Sequence, residues 1–283
     1  MCDVCVIEGV RRRMKADGLS RRKLLRGAGL GAATLAAAPA LAASHTAVKP
    51  VDAQGTPVDL THTLHPDFPT YFGEPGFAME QKSSFASEGF NLFELTINEH
   101  TGTHMDAPLH FSADGDAVDE IPVSNLVLPL VVIDISEAAA RDADAQVMPG
   151  DIEAWRQVNG DMPEGCCVAM YSGWADKVDT DEFRGADDGG TMHFPGFHPD
   201  AANMLIEEGR AVGMAVDTLS LDHGPSADFA THYAWLPTGR WGIECLALPG
   251  SLPPVGATLI VGAPKHRGGT GGPARVMALA PAA

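Results

Sequence analysis

The sequence predicts an α/β fold with few helices, folded as one domain. Three observations point there: short apolar runs recur along the chain, only two stretches carry helix start and stop signals, and the composition is globular and loop-rich. The 283 residues are 45% hydrophobic and 20% charged, with 31 glycines and 21 prolines. Such a chain buries a sizeable core, which excludes wholesale disorder and a fibrous repeat. No internal repeat is visible.

Residues 44–56 read as a polar leader, and the folded domain, 57–283, begins at Pro57-Val58-Asp59-Leu60-Thr61-His62. Strands are expected near 90–98, 129–135, 166–172, 211–217, 242–247, 257–262 and 274–280. Several are nearly continuous in apolar residues, the pattern of a sheet covered on both faces. Asp151 is a candidate N-cap for a helix over 152–159 that stops at Gly160, and Pro199 opens a second that ends at Gly209. The stretch 176–198, rich in Asp, Gly and aromatics, reads as an excursion over the surface, long enough to serve as a lid. The run Gly268-Gly269-Thr270-Gly271-Gly272 lacks the Gly-Lys-Ser/Thr ending of a phosphate loop and reads as a flexible turn.

The formal net charge of −18 disfavours nucleic acid or anionic lipid as a partner. Basic residues are nevertheless concentrated at the start, where residues 1–43 hold eight of the 19 against three acids. There Ser20-Arg21-Arg22-Lys23-Leu24-Leu25-Arg26 precedes a weakly apolar run ending in Ala40-Leu41-Ala42. This resembles a twin-arginine signal peptide, with cleavage expected near Ala42 or Ala43. The run is too short and too rich in Ala and Gly for a membrane anchor. A periplasmic or secreted protein is therefore expected, carried by the twin-arginine export machinery and left without an anchor after cleavage. Cys2 and Cys5 would be lost with the signal. The remaining Cys166, Cys167 and Cys245 make no disulfide framework, and adjacent Cys166 and Cys167 on a strand should face opposite ways.

The sharpest feature is His100-Thr101-Gly102-Thr103-His104-Met105-Asp106-Ala107-Pro108-Leu109-His110. A helix would separate Asp106 from His100 and His104, and Gly102 and Pro108 oppose one. A straight strand would place His100 and His110 roughly 33 Å apart. A strand ending near Glu99, followed by a coiled loop pivoting at Gly102, would instead gather His100, His104 and Asp106. Two imidazoles and a carboxylate suit Zn²⁺, Mn²⁺ or Fe²⁺ and leave coordination positions open, which points to catalysis. The competing reading is that these histidines cap turns and satisfy core hydrogen bonds. Glu244, in the apolar run Gly242-Ile243-Glu244-Cys245-Leu246-Ala247, is an odd charge to bury without a cation or base beside it. The plainer alternative is an edge position facing solvent.

The pattern His100-x-Gly102-Thr103-His104-x-Asp106-x-Pro108-x-His110 resembles the signature of the metal-dependent cyclase family, which includes bacterial kynurenine formamidases and isatin hydrolases. Supporting stretches are Asp59 to His62, Val216 to Asp222 and His232 to Glu244, so the resemblance spans about residues 57 to 280. It implies the family's swivelling β/β/α domain with a mixed sheet, and assembly as a homodimer or homotetramer. It also implies that His100, His104 and Asp106 bind one metal and that Asp106 bridges to a second ion completed by His232 and Glu244. Two ions per chain, Zn²⁺ or Mn²⁺, are expected. His110 resembles the residue that moves protons, with support of a ligand as its competing role. Tyr71 and Phe72 fall where the family sets an aromatic residue against the substrate, and Ser220 and Asp222, at the end of the strand expected over 211–217, are candidates to line the site.

The function so implied is metal-dependent hydrolysis of a carbon–nitrogen amide bond in a small aromatic formamide or cyclic amide, arylformamidase-like, with an isatin-type cyclic amide or a lactone as the alternative. Glu244 leans towards two metals, since isatin hydrolases resemble a one-metal version. The export signal, the longer 176–198 excursion and the Gly-rich extension after Gly262 depart from a typical kynurenine formamidase. A non-catalytic periplasmic metal-binding protein is the competing reading from another class.

Overall fold

A computed structural model describes residues 55–281. The expected signal peptide, with Cys2 and Cys5, and nearly all of the polar leader lie outside the described residues. The described chain divides into two units. The smaller, Met79–Leu95, takes in the paired arms of strands β2 (Phe77–Ser83) and β3 (Leu92–Ile97) and a single helical turn, α1 (Phe85–Glu88). Strand β3 lies where an apolar run was expected. Strand β2 gave no such signal, because Glu80, Gln81 and Lys82 interrupt it.

The larger unit holds a nine-stranded mixed sheet. Its strands are β1 (Thr56–Asp59), β4 (His104–Asp106), β5 (Val127–Asp134), β7 (Cys166–Tyr171), β9 (Ala211–Val216), β10 (Trp241–Glu244), β11 (Ala257–Gly262), β12 (Gly271–Pro273) and β13 (Arg275–Ala280). Their order is β1-β13-β11-β5-β7-β9-β10-β4-β12. Neighbours from β5 through β7 and β9 to β10 are parallel, and the flanking pairs are antiparallel. A further short pair joins β6 (Gln146–Val147) to β8 (Gly196–Phe197).

The apolar strands are central because both of their faces are covered. Leu128, Leu130 and Val132 of β5, with Cys167 and Ala169 of β7, join one core. Val131 and Ile133, with Cys166, Val168 and Met170, join the other. Cys166 and Cys167 thus point to opposite faces, and all three described cysteines are free and buried. The second core is roofed by helices α3 (Pro149–Asn159), α4 (Pro199–Glu208) and α5 (Ala230–Trp235); the four-residue α2 (Ser136–Ala139) follows β5. Gly213 is the small residue that lets β9 lie against the ring of Trp241, since a Cβ there would collide with it.

Three details differ from the sequence reading. Asp151 is not the N-cap of α3: the helix starts three residues earlier than expected, at Pro149 after Met148, and the Asp151 carboxylate instead accepts the Met148 backbone N–H at 2.7 Å. The excursion 176–198 is no loose flap, because Phe183, Phe194 and Phe197 within it are fully buried. Phe183 and Phe194 build a satellite core with Phe68, Trp174, Leu219 and Cys245. The glycine run is not a free turn either, since Gly271 and Gly272 form β12 and pair with Asp106 and Met105.

Candidate metal centre

Strand β4 delivers the centre. His104 and Asp106 are two residues apart and so share one face, and the antiparallel register sets Glu244 of β10 opposite His104. The chain reaches β4 through a turn at Gly102, whose φ of 68° is left-handed and whose missing side chain leaves room for Leu64. That turn carries His100 back over Asp106, with Nδ1 2.7 Å from Oδ1. Thr103 braces the strand by accepting the His62 backbone N–H and donating to the Cys245 carbonyl, so the Asp59–His62 stretch supports the motif from behind.

His232 arrives from α5, whose start is tied down by Asp222. This carboxylate accepts the backbone N–H groups of Thr231 and His232, the Ser226 hydroxyl and, at 2.6 Å, His232 Nδ1. Asp222 therefore stands behind a histidine rather than at the cavity wall where the sequence reading set it. His232 Nε2 then lies 3.0 Å from Glu244 Oε1 and 3.5 Å from Asp106 Oδ2. Glu244 is buried, and its Oε1 also accepts the Leu221 N–H, so the solvent-facing alternative is excluded.

The outer nitrogens decide what the inner ones can do. His104 Nδ1 bonds the Gly102 carbonyl at 2.8 Å and His232 Nδ1 bonds the Asp222 carboxylate. Both partners are pure acceptors, so each Nδ1 carries the proton and each Nε2 of the neutral ring presents a lone pair. These lone pairs face Asp106 and Glu244: His104 Nε2 is 3.3 Å from Asp106 Oδ1 and 3.4 Å from Glu244 Oε2. His104 Nε2 and Asp106 Oδ2 are buried without a hydrogen-bond partner. Lone pairs facing carboxylates in a buried site call for a cation between them.

The titration behaviour shows the same pull for positive charge, which a second proton on each ring would satisfy in place of a metal. Burial pushes His104 down, but Asp106 and Glu244 outweigh it and raise the imidazole to about 9. His232 is likewise raised well above its usual range against its burial, through Asp106, Asp222 and Glu244. Burial favours the neutral acid of Asp106, yet His100, His104 and His232 hold its carboxyl well below the ordinary range. Two overlapping groups offer ligand atoms within 4.8 Å of one another: His104, Asp106 and Glu244, and His100, Asp106 and His110. The donor set and the orphaned atoms fit a divalent metal.

His110 sits on a 3-10 turn over Pro108–Phe111, its ring stacked on His100 at 3.8 Å between centroids. Burial lowers it to about 4, so it is neutral at pH 7. The centre opens into a cavity of about 340 Å³ walled by Tyr71, Phe72, Phe111, Leu219, Ser220 and Phe229, among others. Tyr71 packs against Phe72 and Phe229, whereas Phe72 is 82% exposed and only rims the opening.

Phe111 and Phe229 escaped the sequence reading. Phe111 lies 4.6 Å from the His232 ring, and its adjacency to His110 was the available signal. Phe229 had none, because its place depends on a left-handed φ of 52°. The other described non-glycine residue with positive φ is Cys245, at 53°, which follows Glu244 and also lines the cavity. Strained backbone is thus confined to the cavity wall, where functional sites store it.

Comparison with known proteins supplies a context for this geometry. The family model described as "Putative cyclase" matches residues 58–223. The chain is 34% identical over 245 residues to an isatin hydrolase from Roseibium aggregatum, covering 80% of this chain and 92% of that protein. It is 28% identical over 228 residues to a kynurenine formamidase from Salinibacter ruber, covering 78% and 95%. The solved structure of isatin hydrolase A from Ralstonia solanacearum superposes with a TM-score of 0.75 at 32% identity, covering 89% of this chain and all of that one.

Proposed function

The chain belongs to the cyclase family, and from that premise we propose that it is a metal-dependent hydrolase opening a carbon–nitrogen amide bond in a small aromatic substrate. The observation that carries the reading is the set of imidazole nitrogens aimed at Asp106 and Glu244 on the floor of an aromatic-walled cavity. His100, His104, Asp106, His232 and Glu244 are the residues that would hold the metal. A divalent cation supplies a Lewis acid for the amide carbonyl and activates water.

The chain's own groups do the rest. His110 is neutral, and no described residue hydrogen-bonds to its ring nitrogens, so it is free to take a proton and return it to the leaving nitrogen. Tyr71, Phe111 and Phe229 give the substrate an apolar wall and keep bulk water from the reacting carbonyl. Asp222 and the Gly102 carbonyl hold two imidazoles in the tautomer a metal needs.

An isatin-type cyclic amide is one substrate reading, supported by the isatin hydrolase relatives. An aryl formamide is the other reading, supported by the kynurenine formamidase relative and by two overlapping ligand groups that share Asp106, as a two-ion site would need. Zn²⁺ and Mn²⁺ both suit the donor set. Incubation of metal-loaded protein with isatin and with an aryl formamide in ¹⁸O-labelled water tests the assignment. Hydrolysis of either, with one labelled oxygen in the carboxylate that forms, supports it; no turnover of these or other small amides and lactones overturns it.

The reading extends to setting. Export to the periplasm or cell exterior rests on Ser20 to Arg26 and the apolar run behind it, and cleavage of that segment would leave the mature protein without its only candidate anchor in the sequence. A homodimer or homotetramer is supported by the Met79–Leu95 unit, where Met79, Phe93 and Leu95 are exposed.

A further inference from the structure

We propose that Thr270 and Glu99 are positioning residues that fix the ring of His100 so that Nδ1 is the atom it offers to the metal. The inference rests on the metal-centre reading above, and it concerns a histidine that neither Asp222 nor the Gly102 carbonyl reaches.

Glu99 Oε2 accepts both the Thr270 backbone N–H, at 3.2 Å, and the Thr270 hydroxyl, at 2.6 Å. The other carboxylate oxygen is held by His266 Nε2 at 2.5 Å. A carboxylate only accepts, so the single hydroxyl proton of Thr270 is committed to Glu99. What Thr270 Oγ1 has left is a lone pair, and His100 Nε2 lies 2.9 Å from it. That contact is a hydrogen bond only if Nε2 carries the proton. In the neutral ring Nδ1 is then bare, 2.7 Å from Asp106 Oδ1, and a lone pair facing a carboxylate at that distance requires a cation between them.

Glycines make the arrangement possible. A Cβ on Gly271 would stand 2.9 Å from His100 Cε1, and one on Gly269 would stand 2.7 Å from Glu99 Oε1. Either would push the Thr270 segment off the histidine. The backbone around Thr270 is meanwhile pinned, since the Thr270 carbonyl accepts Ala107 N–H and the Gly269 carbonyl accepts Val118 N–H, each at 2.9 Å. The glycine run is thus a shelf pressed against the centre, with Thr270 as its one hydrogen-bonding side chain.

Residues that orient a ligand change metal affinity by roughly 10- to 100-fold. The experiment uses the full chain and Zn²⁺ alone, with affinity measured by chelator competition and His100 protonation read by long-range ¹H–¹⁵N NMR on the zinc-loaded protein. Thr270→Val is expected to weaken zinc binding by 10- to 100-fold and to abolish the pattern of metal on Nδ1 and proton on Nε2. Thr270→Ser is expected to restore both, and Glu99→Leu to weaken binding by about tenfold. Equal affinity and an unchanged pattern in Thr270→Val would overturn the inference, as would failure of Thr270→Ser to rescue. No zinc binding by the unsubstituted chain would overturn the metal-centre reading itself, and this inference with it.

Discussion

His104 and Glu244 face each other across the β4–β10 pair, with Nε2 3.4 Å from Oε2. The register of two short strands therefore creates the centre, and residues 140 positions apart become partners because Gly242 pairs with Asp106 two steps along. A buried carboxylate and imidazole at that distance are costly to fold unless a cation or proton joins them.

His110→Ala is expected to lower kcat by about 10² to 10⁴ while metal content stays at the level of the unsubstituted chain. Steady-state kinetics with elemental analysis of the same sample checks both. Loss of metal together with activity would make His110 a ligand or a support. A purely metal-binding protein predicts no turnover to lose.

Asp222→Asn replaces the pure acceptor behind His232 Nδ1 with a group that can present a donor. Zinc affinity is expected to fall by roughly 10- to 100-fold, as measured by chelator competition. Unchanged affinity would mean that His232 is oriented without Asp222.

The wall of the cavity is held from outside it. Arg184 Nη2 donates to the Tyr71 carbonyl at 3.1 Å, and the guanidinium occupies the space beside Gly73, where a Cβ would stand 3.1 Å away. Arg184→Met keeps the bulk and removes the donor. A lost hydrogen bond of about 1 kcal/mol is expected to raise KM roughly fivefold with little change in kcat. An unaltered KM would show that the Tyr71 segment holds its own shape.

Much of this was legible in the sequence. Strands β5, β7 and β9 declared themselves as apolar runs, and helix α4 by Pro199 and Gly209. The His100 to His110 segment announced a metal centre because so many donors lie close in sequence. What escaped notice depends on contacts distant along the chain. Strand β4 is three residues long and built from the donors themselves, so no pattern of alternation marks it. Strand β12 is a glycine run, whose place in the sheet reflects close approach rather than strand propensity. Asp222 reads equally well as a wall residue until α5 folds back onto it, and the 176–198 excursion looks superficial until Phe183 and Phe194 are seen inside a core.

Asp217 gives a pH dependence with a definite sign. It is fully buried and accepts the Ser172 N–H and hydroxyl and the Trp174 N–H, yet burial raises it to about 6. The folded state therefore binds a proton that the unfolded chain, with a pKa of about 3.9, releases first. Stability from this group is full below the unfolded value and is lost as pH rises through about 6. Denaturant unfolding of the chain and of Asp217→Asn is expected to give a stability difference that shifts against the unsubstituted chain by up to about 3 kcal/mol between pH 4 and pH 7. A flat or opposite trend would contradict the assignment.

Carboxylates and imidazoles converge on one buried site, where they would hold a divalent metal, with Glu244 serving a second ion. Elemental mass spectrometry of protein purified without added metal, compared with Glu244→Ala, tests it most directly. The account predicts about two divalent ions per chain and the loss of one in the variant. No bound metal in the unsubstituted chain, even when metal is supplied during expression, would contradict it.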